Sequence, residues 1–197
     1  ERRGFIAEAH CFEIRIPLFP EQRLYYAAAT DRQKIRMAAE NENKVNLVRE
    51  LVERHADDHI LVIGQYVEQL KNLAEKLDAP LITGKTRNAR RETLYEQFRQ
   101  GEIRLLIVSR VANFAIDLPD ANVLIQVSGT FGSRQEEAQR LGRILRPKEK
   151  HSMFYSLVSR DTREQDFSLK RQLFLAEQGY RYQILTASAE GSLGESE

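Results

Sequence analysis

Short apolar runs that alternate with amphipathic helical repeats leave this chain few folds to choose from. Ile60-Leu61-Val62-Ile63, Leu105-Leu106-Ile107-Val108 and Val123-Leu124-Ile125-Gln126-Val127 read as buried strands. Between the first two, Val67, Leu70, Leu73, Ala74 and Leu77 repeat at helical spacing, and Leu94 and Phe98 mark the inner face of a helix over about 89–100. Strands alternating with helices imply an α/β fold with a mainly parallel sheet covered on both faces.

The remaining elements fit that frame. An opening strand is expected at Phe12–Ile16, stopped by Pro17. Thr30 and Asp31 can cap a helix to about Glu40, and a second helix runs to about His55 with Val45, Val48, Leu51 and Val52 on one face. Pro80–Thr83 reads as a short strand. Ser133 opens a helix, with Glu136 completing a capping box. Phe154–Val158 is another strand, Asp161 and Glu164 frame a helix that ends at Gly179, and Tyr182–Leu185 is a last strand. The domain reading is an N-terminal strand and helices over 1–55, an α/β lobe over 56–187, and a Ser/Gly/Glu-rich tail over 188–197 expected to be disordered.

Composition narrows the function classes. The 197 residues suit one α/β domain. Thirty Lys and Arg against 29 Asp and Glu give a net charge of +1, so any case for nucleic-acid binding must rest on local clusters. The single cysteine, Cys11, excludes an internal disulfide and a Cys-rich zinc site, and reads as a small core residue. The four His are scattered without ligand spacing, so no metal site is expected. No apolar run approaches membrane-spanning length and no signal peptide opens the chain, so a soluble, intracellular protein without membrane partners is expected. No nucleophile–base pair supports a small-molecule enzyme.

In a parallel sheet, ligands gather at the carboxyl ends of the strands. Chemistry is therefore expected after Gly64, after Thr83, after Val108 and after Val127. The most informative segment follows the last of these. In Gln139-Arg140-Leu141-Gly142-Arg143-Ile144-Leu145-Arg146, the residues Gln139, Arg143 and Arg146 share one sector of a helix, while Ala138, Leu141 and Leu145 face the core. Pro147 disfavours helix at Arg146 and leaves that guanidinium at the helix end. Two permanently charged, planar forks on one edge suit a polyphosphate. A bare triplet of this kind is more often a solvated basic face.

The segment matches Q-R-x-G-R-x-x-R, motif VI of superfamily 2 helicases, at every specified position. Upstream, Ile107-Val108-Ser109-Arg110 through Asp117-Leu118-Pro119 resembles motif V, with Ala115 where many relatives carry Gly. Ile60–Gly64-Gln65 resembles motif IV, and Thr83-Gly84, Arg91 and Phe98-Arg99-Gln100-Gly101 follow in the family's order. The runs Asp117–Ser128, Gly132–Ala138, Arg146-Pro147-Lys148, Phe154–Thr162 and Phe174–Tyr180 resemble the bacterial branch of the XPB-type repair helicases, so the likeness covers roughly 5–185.

That resemblance implies a RecA-like, three-layer domain: the second lobe of a P-loop NTPase-type helicase motor. It implies Arg143 and Arg146 as arginine fingers, with Gln139, Arg140 and Asp117 near the nucleotide. It implies Gly64, Gln65, Gly84, Lys85, Arg87, Arg91, Ser109 and Arg110 near the DNA backbone. On the residues alone, a solvated charge run suits Lys85, Arg87, Arg90 and Arg91 equally well, and a helix or turn cap suits Ser109 or Asp117 better. Gly84-Lys85-Thr86 imitates the end of a P-loop, but Ala79 stands where a Walker A loop needs its first Gly. The implied cofactor is ATP with Mg²⁺, held mainly by a first lobe of the same polypeptide, so this chain alone is expected not to hydrolyse ATP. The implied partners are that lobe, DNA and a nuclease or other repair accessory protein, in the bacterial cytoplasm at the nucleoid. A double-stranded DNA translocase lobe and a non-catalytic nucleic-acid- or partner-binding module are the competing readings.

Overall fold

The computed structural model describes residues 9–109, 121–129 and 152–193. Their strands form one seven-stranded, all-parallel sheet in the order β3-β4-β2-β5-β6-β1-β7. The strands are β1 (Ala9–Ile16), β2 (Ile60–Gly64), β3 (Leu81–Ile82), β4 (Leu105–Ser109), β5 (Val123–Gln126), β6 (Ser152–Ser159) and β7 (Arg181–Thr186). The helices among the described residues are α1 (Pro20–Ala28), α2 (Asp31–Ala39), α3 (Asn43–Arg54), α4 (Val67–Leu77), α5 (Asn88–Gln100) and α6 (Arg163–Glu177). The expected helix at Ser133 lies outside the described residues.

The apolar runs are continuous because alternate residues enter two different cores. Ile60 and Val62, with Ile107, Val123 and Ile125, pack under α3 and α4 against Val48, Leu51, Leu70 and Leu73. Leu61 and Ile63, with Leu106, Val108 and Leu124, pack under α5 and α6 against Leu94, Phe98 and Leu175. A strand covered on both faces has no solvent side to alternate towards. Full burial of each such side chain stabilises the fold by about 1.5–3 kcal/mol.

Local chemistry sets the helix ends. Thr30 Oγ1 accepts from Gln33 N at 3.4 Å while Gln33 Oε1 accepts from Thr30 N at 2.9 Å, so α2 opens on a reciprocal capping box. At α6 the cap is Thr162, whose Oγ1 accepts from Glu164 N at 3.2 Å. The expected Asp161 instead sits one residue earlier at φ 56, in the left-handed region that Asp tolerates. Gly101 ends α5 at φ 78, where a side chain would be strained.

Three readings change. Helix α1 was not anticipated: it buries none of its residues, its Leu24 and Tyr25 stand exposed, and Pro20 at its first turn is its local signal. Residues 9–55, set apart from the lobe in the sequence, sit within it: β1 pairs in register with β6 and β7, and α3 supplies Val45, Leu47, Val48 and Leu51 to the core. Ser188–Leu193, expected as disordered tail, folds back on α3. Asn43 Nδ2 donates to Ala189 O at 3.2 Å, and Leu193 N donates to Glu50 Oε2 at 3.1 Å. Its polar composition hid backbone partners that are distant in sequence.

Cys11 faces the α5–α6 core at 1% exposure, and burial pushes its thiol up to about 12. Its thiolate is therefore scarce at neutral pH. At pH 8 an aromatic disulfide reagent should label the native protein only through unfolding, on the order of 10³-fold or more slower than a free thiol. Rapid stoichiometric labelling without unfolding would contradict this core placement.

Candidate functional site

Parallel register brings the exits of several strands to one edge. Gly64 pairs with Ser109, Ile63 with Gln126, and Ile82 with Val108. The carboxyl ends of β2, β3, β4 and β5 therefore lie side by side.

Gly64 is there for space. A Cβ at this position would stand 2.7 Å from Leu70 Cδ2, 2.9 Å from Val127 Cγ2 and 3.0 Å from Ser128 Oγ. Its absence lets the β2 exit lie against the β5 exit, where Gln65 N donates to Ser128 Oγ at 2.9 Å and Val127 N to Ile63 O at 2.9 Å. Gln65 is half-buried, and Ser109, in the neighbouring register position, is buried at 1% exposure.

After β3 the chain makes a self-closed turn. Thr86 N donates to Thr83 O at 3.1 Å, Thr83 N to Thr86 Oγ1 at 2.9 Å, and Lys85 N to Thr83 Oγ1 at 3.2 Å. The backbone N–H groups of Thr83, Lys85 and Thr86 are thus engaged within the turn, so Gly84-Lys85-Thr86 does not form a phosphate cradle of the P-loop kind. Gly84, Lys85 and Arg87 are exposed. Arg91 differs: it is 7% exposed and its Nη2 donates to Thr83 O and Thr86 O, each at 3.3 Å. Arg91 fixes the turn from beneath, while Lys85 and Arg87 project from it. Sequence could not separate these roles, because the distinction is burial rather than residue type.

Beneath the β5 exit lies a charged pair that the sequence reading passed over. Lys44, fully buried at the start of α3, donates from Nζ to Val127 O at 2.8 Å, to Ala39 O at 3.2 Å, and to Glu164 Oε1 and Oε2 at 3.0 and 2.9 Å. Glu164 also accepts from Ser159 N at 2.7 Å. Burial pushes the Lys44 ammonium down from its ordinary value and the Glu164 carboxyl up, each opposed by the partner's charge. Asn41 Nδ2 donates to Ser159 Oγ at 3.1 Å and to Pro17 O at 3.2 Å, tying the α2–α3 corner to the β6 exit. The available signal was helical spacing: Lys44 shares the inner stripe of α3 with Val48 and Leu51.

A second polar network sits at the opposite, amino end of the sheet. His55 Nδ1 meets Asp58 Oδ2 at 2.7 Å and its Nε2 meets Tyr155 Oη at 2.7 Å, while Asn122 Nδ2 donates to Asp58 Oδ1 at 2.5 Å. It braces the starts of β2 and β5, away from the carboxyl edge. Arg110, Asp117, Gln139, Arg140, Arg143 and Arg146 lie outside the described residues. Among those described, no helix is long and apolar enough to cross a membrane.

Comparison with known proteins converges on one family. A family model described as ERCC3/RAD25/XPB C-terminal helicase matches residues 1–195. A DNA 3'-5' helicase XPB of Kineococcus radiotolerans is 55% identical over 189 residues, which is 95% of this chain and 34% of that protein. A protein of the same description from Mycobacterium tuberculosis is 49% identical with the same coverage. The General transcription and DNA repair factor IIH helicase/translocase subunit XPB of Danio rerio is 39% identical, over 96% of this chain and 25% of that protein. The chain spans about a third of the length of the two bacterial relatives. Among solved structures, the C-terminal domain of the DEAD-box protein Dbp5 superposes with a TM-score of 0.67 at 14% identity, covering 91% of each chain. The Escherichia coli DEAD-box protein SrmB bound to RraA gives 0.61 at 15% identity, covering 96% of this chain and 97% of that one. At such identities the likeness concerns the fold, which is RecA-like.

The turn after β3 offers a direct check on Arg91. Arg91→Ala should lower stability to chemical denaturation by about 1–3 kcal/mol, because Thr86 O loses its bond to Arg91 and Thr83 O keeps only the one from Thr86 N. It should also speed amide exchange at Thr86. Unchanged exchange there would show that Arg91 does not hold the turn.

Proposed function

This chain belongs to the ERCC3/RAD25/XPB C-terminal helicase family, and on that premise we propose that it is the second motor lobe of an ATP-dependent 3′-to-5′ DNA helicase acting in DNA repair. The observation that carries the reading is Gln139–Arg146, complete for motif VI, in a chain whose sheet brings the β2, β3, β4 and β5 exits to one edge.

ATP with Mg²⁺ supplies the phosphoryl group whose hydrolysis drives the motor, and it is held chiefly by a first lobe of the same polypeptide. The roles of this chain follow from charge and position. Arg143 and Arg146 present fixed positive charge to the γ-phosphate as negative charge develops there, a contribution of about 10³–10⁵ in rate for an arginine finger. Gln139, Arg140 and Asp117 line the same nucleotide edge. Gly64, Gln65, Gly84, Lys85, Arg87, Ser109 and Arg110 form the DNA-backbone edge, with Lys85 and Arg87 as point contacts to phosphate. Arg91 serves that edge by holding the turn that carries them. Contacts of this kind position the protein without reading bases, so binding is sequence-tolerant and salt-dependent.

Closing the two lobes brings the arginines to the nucleotide. Opening them moves the DNA-contacting turns relative to the first lobe, which is the translocation step. A repair nuclease or similar accessory protein is the expected further partner, in the cytoplasm at the nucleoid. The Danio rerio relative is described as a helicase/translocase subunit, which favours duplex translocation as the second reading. Strand-displacement and triplex-displacement assays on the complete polypeptide separate the two.

In the complete polypeptide, Arg143→Ala should leave ATP binding largely intact and lower DNA-stimulated turnover by at least about a hundredfold. Near-wild-type turnover would remove the finger assignment. Lys85→Ala should weaken DNA binding about equally on unrelated sequences and reduce the slope of log affinity against log salt by about 0.7–0.9. An unchanged slope would exclude Lys85 from phosphate contact.

A further inference from the structure

We infer that the buried Lys44–Glu164 pair is a positioning device for the β5 exit, and hence for the arginine segment that the chain reaches after it; the inference rests on the motor reading above. The geometry is specific. Lys44 Nζ joins three elements at once: Val127 O just past β5, Ala39 O at the last turn of α2, and both carboxylate oxygens of Glu164 in the first turn of α6. Each charge also suits its helix end, the ammonium facing the carbonyl terminus of α2 and the carboxylate standing at the amino terminus of α6. Glu164 extends the junction to Ser159 N at 2.7 Å, at the end of β6. One ion pair therefore fixes the exits of two adjacent strands and the ends of two helices.

Stability alone is a poor explanation for it. Replacing a buried ion pair with apolar residues of similar volume is often neutral or stabilising, because desolvation offsets the Coulombic attraction. What a hydrophobe cannot supply is a directed hydrogen bond to Val127 O. That carbonyl lies beside Ser128, whose Oγ accepts from Gln65 N at 2.9 Å, so the β5 exit is held from below by Lys44 and from the side by the β2 exit. In the sequence, Gln139–Arg146 follows this clamped point. An arginine finger acts through placement, and about 1 Å of misplacement can cost roughly a hundredfold in rate.

The test uses the complete two-lobed polypeptide and two variants. K44M/E164Q removes both charges and the bond to Val127 O while keeping an acceptor for Ser159 N. E164Q alone keeps the amine, which even when neutral has donors enough for Val127 O and Ala39 O. We expect K44M/E164Q to melt cooperatively within a few degrees of wild type, to keep its KM for ATP within about twofold, and to lose about tenfold or more in DNA-stimulated kcat. E164Q should retain more of that kcat than the double variant.

The inference is overturned if folded K44M/E164Q turns over like wild type, if E164Q loses as much as the double variant, or if the kcat loss comes only with a collapse of the melting transition. Arg143→Ala measured in parallel keeps the two assignments separate. A loss at Lys44–Glu164 with none at Arg143 removes the Arg143 finger and overturns positioning of that arginine by the pair, leaving only the hold on the β5 exit. A loss at Arg143 with none at Lys44–Glu164 removes the clamp and leaves the finger.

Discussion

Two-sided burial of a parallel sheet is the constraint from which the rest of this structure follows. Each central strand gives one set of side chains to α3 and α4 and the other to α5 and α6. Neither face of those strands is left for solvent or ligand, and only the ends remain. Because the strands are parallel, their carboxyl ends share one edge. A chain with almost no net charge can therefore still place cations together at a strand exit, as exposed Lys85 and Arg87 stand in the turn after β3.

The polar groups inside the lobe sort by the same geometry. At the amino end, His55, Asp58, Asn122 and Tyr155 bond to one another, and burial pushes the Tyr155 hydroxyl up to about 12, so it acts as a neutral strut. At the carboxyl end, Lys44, Glu164, Asn41, Asn43 and Ser159 bond largely to backbone carbonyls and amides. Side-chain-to-side-chain bonds brace one end, and side-chain-to-backbone bonds define where the chain leaves the other. A backbone carbonyl held by a buried ammonium has little freedom to shift.

Most of the frame was legible in the sequence because it depends on local periodicity. The runs at Ile60, Leu105 and Val123 and the stripe at Val67–Leu77 marked strands and a helix without any tertiary information. What escaped depends on partners far along the chain. Helix α1 buries none of its residues. The order that places β1 between β6 and β7 is a long-range pairing, and so is the anchoring of residues 188–193 on α3. Lys44 was visible as a lysine on an apolar stripe, but its meaning required Glu164, Val127 and Ala39 to be brought around it. For the site, residue type was legible and exposure was not: Arg91 resembled Lys85 and Arg87 until burial separated them.

That separation bears on how the lobe divides its labour with a partner lobe. A phosphate cradle needs backbone N–H groups that are free and convergent. The turn at Thr83–Thr86 has the Gly-Lys-Thr residues of such a cradle, yet its amides bond to Thr83 O, Thr83 Oγ1 and Thr86 Oγ1, and Arg91 holds its carbonyls from below. The result is a small, braced turn that offers its side-chain cations and keeps its backbone closed. Such a turn suits contacts made by exposed side chains such as Lys85 and Arg87. It does not suit enclosing a polyphosphate, because the amides that would have to converge on one are already engaged within the turn.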